Sequence, residues 1–172
     1  MKIKFFFTSL IVIFFIIFII FYKGLQNSNT YKPNVSIEKN VPTFTAKIFE
    51  NNNKINSKEI FKSDKFYLVN IWASWCKPCR DEHLFLKNIS KHKKIKVIGL
   101  NYKDNFMNAK KFINEMGNPY STILLDKDGT LAIEWGAYGV PETFLVYKNK
   151  IIKKYIGPLN NEILTEIKKI IK

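Results

Sequence analysis

The stretch from Asn70 to His83 reads Asn-Ile-Trp-Ala-Ser-Trp-Cys-Lys-Pro-Cys-Arg-Asp-Glu-His and holds both cysteines of the chain, Cys76 and Cys79. The β-branched and aromatic run leading into it (Phe66, Tyr67, Leu68, Val69, Ile71) predicts a buried strand. The amphipathic stretch leading out, with Leu84, Leu86 and Ile89, predicts a helix. The cysteines therefore sit where a strand hands over to a helix. At a helix start the unpaired N–H groups and the positive end of the macrodipole stabilise a thiolate. The first cysteine of a C-x-x-C at such a site is typically lowered to a pKa of about 3.5–7.5. Pro78 suits the first turn, where its missing N–H costs nothing. Cys79 lies one turn deeper, close enough to close a small disulfide with Cys76.

Three readings compete for this pair. A structural disulfide closing so small a loop constrains the unfolded chain little. A zinc site calls for four ligands, usually with a second pair at a distance. The other soft ligands here are His83 and His92, both on or just after the same helix. Cys79 and His83 share a helical face at i, i+4, which leaves a weak metal contact open. Redox chemistry fits the strand-to-helix placement best.

Residues 5–22 contain no charged side chain and only Thr8 and Ser9 as mildly polar ones. As a helix they span about 27 Å, close to the roughly 30 Å of a hydrocarbon core. Lys2 and Lys4 precede the run, so positive-inside bias puts residues 1–4 in the cytoplasm and the rest of the chain outside. A cleaved signal peptide is the alternative. Its apolar core usually runs 7–15 residues, and no Ala-x-Ala-like site follows Phe21-Tyr22-Lys23-Gly24. An uncleaved signal anchor is expected. Residues 23–40 are polar and aperiodic, a tether ahead of a domain at 41–172.

Within that domain, Val41-Pro42-Thr43-Phe44 opens a strand-like stretch to Phe49, and Asn51-Asn52-Asn53 supplies a turn. Ser57 to Phe61 suits a short helical turn. Ile95–Asn101 reads as a second buried strand. Met107–Met116 has helical spacing, stopped by Gly117. Ser121–Leu125 is a short strand before the turn signal Asp126-Lys127-Asp128-Gly129. Thr143–Tyr147 and Lys150–Ile156 make a hairpin, and Asn160 caps a last amphipathic helix. Strands alternating with helices argue an α/β sheet with helices on both faces.

The formal net charge is +14; residues 1–22 hold two lysines and no acids, so the remainder carries +12. A basic face favours anionic head groups or acidic partners. Nucleic acid is not expected, because no binding motif appears and the domain lies outside the cytoplasm. Arg80 is the one arginine, and most of the charge reflects a lysine-rich composition.

Trp72-Ala-Ser-Trp-Cys-x-x-Cys79 resembles the thioredoxin superfamily. Three further blocks sharpen the likeness: Gly99-Leu-Asn-Tyr-Lys-Asp104, Gly117-Asn-Pro-Tyr120 and Tyr138-Gly-Val-Pro-Glu-Thr-Phe144. Together with Trp75–His83 they are similar to the DsbE/CcmG thiol:disulfide interchange proteins of cytochrome c maturation, over roughly residues 41–160. The resemblance implies a thioredoxin-like fold, a central mixed β-sheet flanked by helices, with a β/α insert around residues 103–125 beside the active site. It implies a protein disulfide reductase, anchored in the bacterial inner membrane with its domain in the periplasm, and monomeric. A transmembrane thiol carrier would reduce it, and its client would be apocytochrome c or a partner thiol protein. No cofactor or metal is implied beyond the Cys76–Cys79 pair.

By the same resemblance Cys76 is the exposed nucleophile and Cys79 the buried resolving thiol. Pro141 matches the family's cis-proline, turning the backbone so that Val140 pairs with an extended client; an ordinary trans proline entering a strand is the alternative. Trp75, Val140, Pro141 and Glu142 would line the client groove, and Trp72 and Trp75 would pack the site and cover the disulfide. Tyr102, Asp104 and Tyr120 on the insert would contact partners. Thioredoxins carry a buried aspartate on the strand before the motif, and here that position is Asn70, which takes no proton. Another base is then needed for Cys79. Glu82, three residues on along one helical face, is the first candidate, and Glu142 the second. A solvated carboxylate beside a lysine is the competing reading of Glu82.

Other functions stay open at this point. A related anchored reductant would serve another client, such as an oxidase copper-site protein. A copper-binding assembly chaperone on the same fold would call for C-x-x-x-C and a distant histidine; the spacing here is C-x-x-C, and no histidine follows His92.

Overall fold

The computed structural model describes residues 2–26 and 39–172. The first unit is a helix, α1 (Lys2–Gln26). Within it Phe5–Lys23 is long and apolar enough to cross a membrane, with its side chains exposed. The helix runs to Gln26, four residues past the expected end of the span, and most of the expected tether (27–38) lies outside the described residues.

The second unit is built on an eight-stranded mixed sheet in the order β1-β8-β7-β4-β5-β6-β2-β3. Its strands are β1 (Lys39–Asn40), β2 (Thr45–Ile48), β3 (Lys54–Asn56), β4 (Phe66–Trp72), β5 (Ile95–Tyr102), β6 (Thr122–Asp126), β7 (Glu142–Tyr147) and β8 (Lys150–Ile156). Five helices join them: α2 (Ser57–Ile60), α3 (Lys77–Ile89), α4 (Phe106–Met116), α5 (Thr130–Glu134) and α6 (Asn161–Ile170). β4, β5 and β6 run parallel; on the other side of β4, β7 runs antiparallel to it and β8 antiparallel to β7. The β/α insert is α4 with β6. The first strand of the sheet starts at Lys39, inside the stretch expected as tether, and the strand expected from Val41 to Phe49 is only Thr45–Ile48.

β4 shows why the sheet is covered on both faces. Leu68 and Trp72 point to one side, into a core with Leu86 and Ile89 of α3, Phe112 of α4 and Ile167 of α6. Tyr67, Val69 and Ile71 alternate to the other, against Ile60 of α2, Ala132 of α5 and Trp135. A strand buried on both faces needs a continuous apolar run, as this one has. Each such side chain contributes roughly 1.5–3 kcal/mol on burial. Gly99 of β5 allows a close approach at this level: a Cβ there would lie 2.9 Å from Nε1 of Trp72 and 3.0 Å from the Tyr120 ring.

Caps follow the residue types. Asn105 accepts from the N–H groups of Met107 and Asn108 at the start of α4, and Asn160 from Ile163 N–H at the start of α6. β1, β3 and α5 are elements beyond those the sequence pattern predicts.

Candidate active site

Beyond Trp72 the chain turns back through Ala73, Ser74 and Trp75, and Cys76 becomes the N-cap of α3. Its Sγ accepts the N–H of Cys79 at 3.1 Å. A thiolate at this position takes the same donor, with the helix dipole adding to it. Pro78 sits in the first turn. Cys76 and Cys79 form a disulfide with Cα atoms 5.3 Å apart.

Cys76 corrects one expectation: it is 3% exposed and Cys79 2%, so neither cysteine is open to solvent in this oxidised form. Sγ of Cys76 is turned inward by its bond to Cys79 and by the helix N–H, and both cysteines join the core that holds Trp72 and Leu159. Trp72 is buried, whereas Trp75 is 59% exposed, held by a hydrogen bond from its Nε1 to the carbonyl of Lys103 at 3.2 Å.

Antiparallel register sets Ile71 opposite Glu142, which brings the start of β7 to the active-site end of β4. The peptide before that start, Val140–Pro141, is cis. Val140 packs against the core that contains the disulfide.

Glu82 is fully buried, not a solvated helix carboxylate. Its Oε1 accepts from Nδ2 of Asn70 at 2.8 Å, and its Oε2 from the N–H of Leu159 at 2.8 Å. Asn70 is the hub: Nδ2 also donates to Thr143 Oγ1 at 3.0 Å, and Oδ1 accepts from the Tyr120 hydroxyl at 2.9 Å. Asn70, where thioredoxins carry an aspartate, thus holds the Glu82 carboxyl in place through its amide. Burial pushes the Glu82 carboxyl from 4.5 up to about 7, against the lowering pull of its bonds to Leu159 and Asn70.

Glu142, the second candidate base, is already engaged. Its Oε1 accepts the N–H groups of Tyr138 (2.7 Å) and Gly139 (3.0 Å). Its Oε2 lies 2.7 Å from Nζ of Lys154, an ion contact between two buried side chains. His83 is buried too. Nε2 donates to the carbonyl of Gly117 at 2.8 Å, the ring meets Phe112 edge-on, and burial lowers its pKa, which favours the neutral imidazole. A carbonyl partner requires the proton on Nε2, which leaves Nδ1 as the unpartnered acceptor. Among the described residues no group of three or more His, Cys, Asp or Glu side chains is arranged to hold a metal.

The redoxin family profile matches residues 37–170 of this chain. The chain belongs to the redoxin family. Among its relatives is the thiol:disulfide interchange protein CycY of Rhizobium leguminosarum bv. viciae, 48% identical over 59% of this chain and 55% of the relative. The thiol:disulfide interchange protein DsbE of Escherichia coli (strain K12) is 40% identical over 76% of this chain and 70% of the relative. The chain therefore spans about half of the CycY relative and over two thirds of DsbE. The thioredoxin domain of a thiol-disulfide oxidoreductase from Bacteroides vulgatus superposes with a TM-score of 0.66 at 22% identity, covering 80% of this chain and 99% of that one. The first two place this redoxin with the DsbE-type thiol:disulfide interchange proteins, and the third shows a shared fold.

Two roles of this redoxin's residues depart from the pattern reading. Tyr120 is buried in the Asn70 network and does not face partners. Asp104 braces the active-site turn: Oδ2 accepts the Ser74 N–H at 2.5 Å and Nδ2 of Asn101 at 2.9 Å, and Oδ1 accepts the Ser74 hydroxyl at 2.6 Å. The Asn101-x-x-Asp104 spacing just past a buried strand was the available signal. Asp104→Ala is expected to cost roughly 2 kcal/mol in urea unfolding, since bonds to a charged acceptor each contribute about 1.5–3 kcal/mol and these are partly exposed. Exchange with a peptide disulfide should slow in the same variant, because Ser74 lies two residues before Cys76. Unchanged unfolding and exchange would show that the turn holds itself.

Proposed function

We propose that this redoxin is a membrane-anchored reductant of protein disulfides, with apocytochrome c or a cytochrome-maturation thiol protein as its client. The observation that carries the reading is Cys76 Sγ at the N-cap of α3, bonded to Cys79 and at the same end of the sheet as Val140–Pro141. In the reduced protein the Cys76 thiolate attacks one sulfur of the client disulfide. A mixed disulfide forms and the first client thiolate leaves. Cys79, its proton passed to Glu82, attacks Sγ of Cys76, and the second client thiolate leaves. The client has gained two electrons and the Cys76–Cys79 disulfide is restored, to be reduced again by a transmembrane thiol carrier. The pair is itself the redox centre, and no cofactor enters the scheme. Trp75, Val140 and Pro141 form the client groove, with Val140 offering backbone pairing to an extended segment.

Phe5–Lys23 supports a single membrane span. Lys2 and Lys4 favour a cytoplasmic N-terminus, which puts the thioredoxin-like domain in the periplasm. A basic outer domain suits apposition to anionic lipid.

The test uses Cys79→Ser, which attacks but does not resolve. Mixed with a disulfide-closed Cys-x-x-Cys-His peptide, the haem-attachment pattern, it is expected to accumulate a mixed disulfide on Cys76, read by mass spectrometry. Capture of an oxidase copper-site protein in its place would move the client assignment to that class. No adduct with either would overturn the reductase reading.

A further inference from the structure

Lys154 lies on β8, away from the cysteines in sequence, and its ammonium has three neighbours in the loop before Pro141 and at the start of β7. Nζ donates to the carbonyl of Gly136 at 2.7 Å, lies 2.7 Å from Glu142 Oε2, and stands 4.1 Å from the centroid of the Tyr138 ring. Its side chain is 3% exposed, although it carries a full charge. Buried lysines without partners are rare; this one is surrounded by the loop that ends at Pro141. The carboxylate it faces holds the same loop from the other side, through the N–H groups of Tyr138 and Gly139. Gly136 has a φ of 75°, so the loop leaves α5 through a backbone turn that glycine adopts freely. The ring of Tyr138 is 80% exposed, two residues before Val140. The cation against that ring fixes how its exposed face is presented beside Val140.

We propose that Lys154 is a positioning residue for client binding, holding the Gly136–Pro141 loop and the exposed Tyr138 ring in place beside the Cys76–Cys79 disulfide. The client it favours is an extended peptide with an apolar or aromatic side chain near its cysteine, placed to stack on Tyr138. This deepens the reductase reading and rests on it. Lys154 touches neither sulfur nor client; it acts through Tyr138 and Glu142.

The experiment measures reduction of a disulfide-closed Cys-x-x-Cys-His peptide under steady-state conditions, with a small dithiol as the electron source. Lys154→Met alone leaves a buried carboxylate without its cation, so the double variant Lys154→Met/Glu142→Gln is made beside it, and thermal melts report folding. Both variants are expected to raise KM for the peptide about tenfold with kcat changed less than about twofold, the signature of lost binding without lost chemistry. Lys154→Arg keeps the cation and is expected to restore KM to within about twofold of the parent. A folded double variant with the parent's KM, or a kcat loss as large as the KM change, would overturn the proposal while leaving the reductase reading intact. Failure of the parent protein to reduce the peptide would overturn both.

Discussion

Cys76→Ser is expected to reduce protein disulfides no faster than the uncatalysed background, in a domain that stays folded. Serine is a favoured N-cap, so its hydroxyl inherits the Cys79 N–H that Sγ accepts at 3.1 Å. The disulfide that is lost joins residues only three apart in sequence. A loop that small restricts the unfolded chain by roughly 2 kcal/mol at most. What disappears is the nucleophile, because exchange proceeds through a thiolate and a serine hydroxyl does not ionise at these pH values. Turnover of a peptide disulfide, followed with circular dichroism on the same sample, checks both halves. Residual turnover above background in a folded variant would take Cys76 out of the attacking role.

Glu82→Gln should flatten two pH profiles. With its carboxyl near 7, Glu82 is neutral in acid and ionised above neutrality. Under its proposed role as the base for Cys79, resolution of the mixed disulfide should accelerate as pH rises through about 7, and the Gln variant should lack that rise. The stability consequence follows from linkage. Because the folded value lies above the unfolded one, the folded state binds the proton more tightly. The associated stability is fully present below pH 4.5 and is lost as pH climbs to about 7. The difference is roughly 3 kcal/mol, from about 1.4 kcal/mol per unit. Burial also raises the Asp126 carboxyl, which slopes the same way, so the contrast between parent and variant isolates Glu82. The amide brings its own cost: both Asn70 Nδ2 and Leu159 N–H are donors, and the new NH₂ faces one of them without an acceptor. Urea unfolding at pH 5 and pH 8 should therefore show Gln clearly less stable than Glu in acid, with the gap closing or reversing at pH 8. Equal differences at both pH values, with unaltered resolution kinetics, would return Glu82 to a purely structural part.

Much of this site could be read from local pattern. The run Phe66–Trp72, the cysteines after it and the periodic Leu86 and Ile89 are short-range features, and strand, cap and helix formed where that periodicity placed them. The Thr143–Tyr147 strand and its hairpin partner were equally legible from the Lys148-Asn149 turn, whose residues both take positive φ. Glu82 was harder. A glutamate on a helix is normally solvated, and what buries this one comes from far away: Leu159 N–H, 77 residues on, and the amide of Asn70. β3 escaped because it is three residues long with no buried position, and α5 because five residues carry too little periodicity. Lys154 had no local signal at all, being one of 27 lysines until β7 and β8 paired and set it against Glu142. Burial of Cys76 comes from the core around Trp72 and Leu159, which meets only when distant segments pack.

In the proposed reaction electrons flow outward through Cys76 and Cys79 to client disulfides. Its most direct test is the redox state of the pair in growing cells, trapped with acid and a mass-adding thiol alkylator. The pair is expected to be largely reduced and to become oxidised when the transmembrane thiol carrier is deleted. A pair found largely oxidised in cells with the carrier intact would contradict it and mark the protein as a dithiol oxidase.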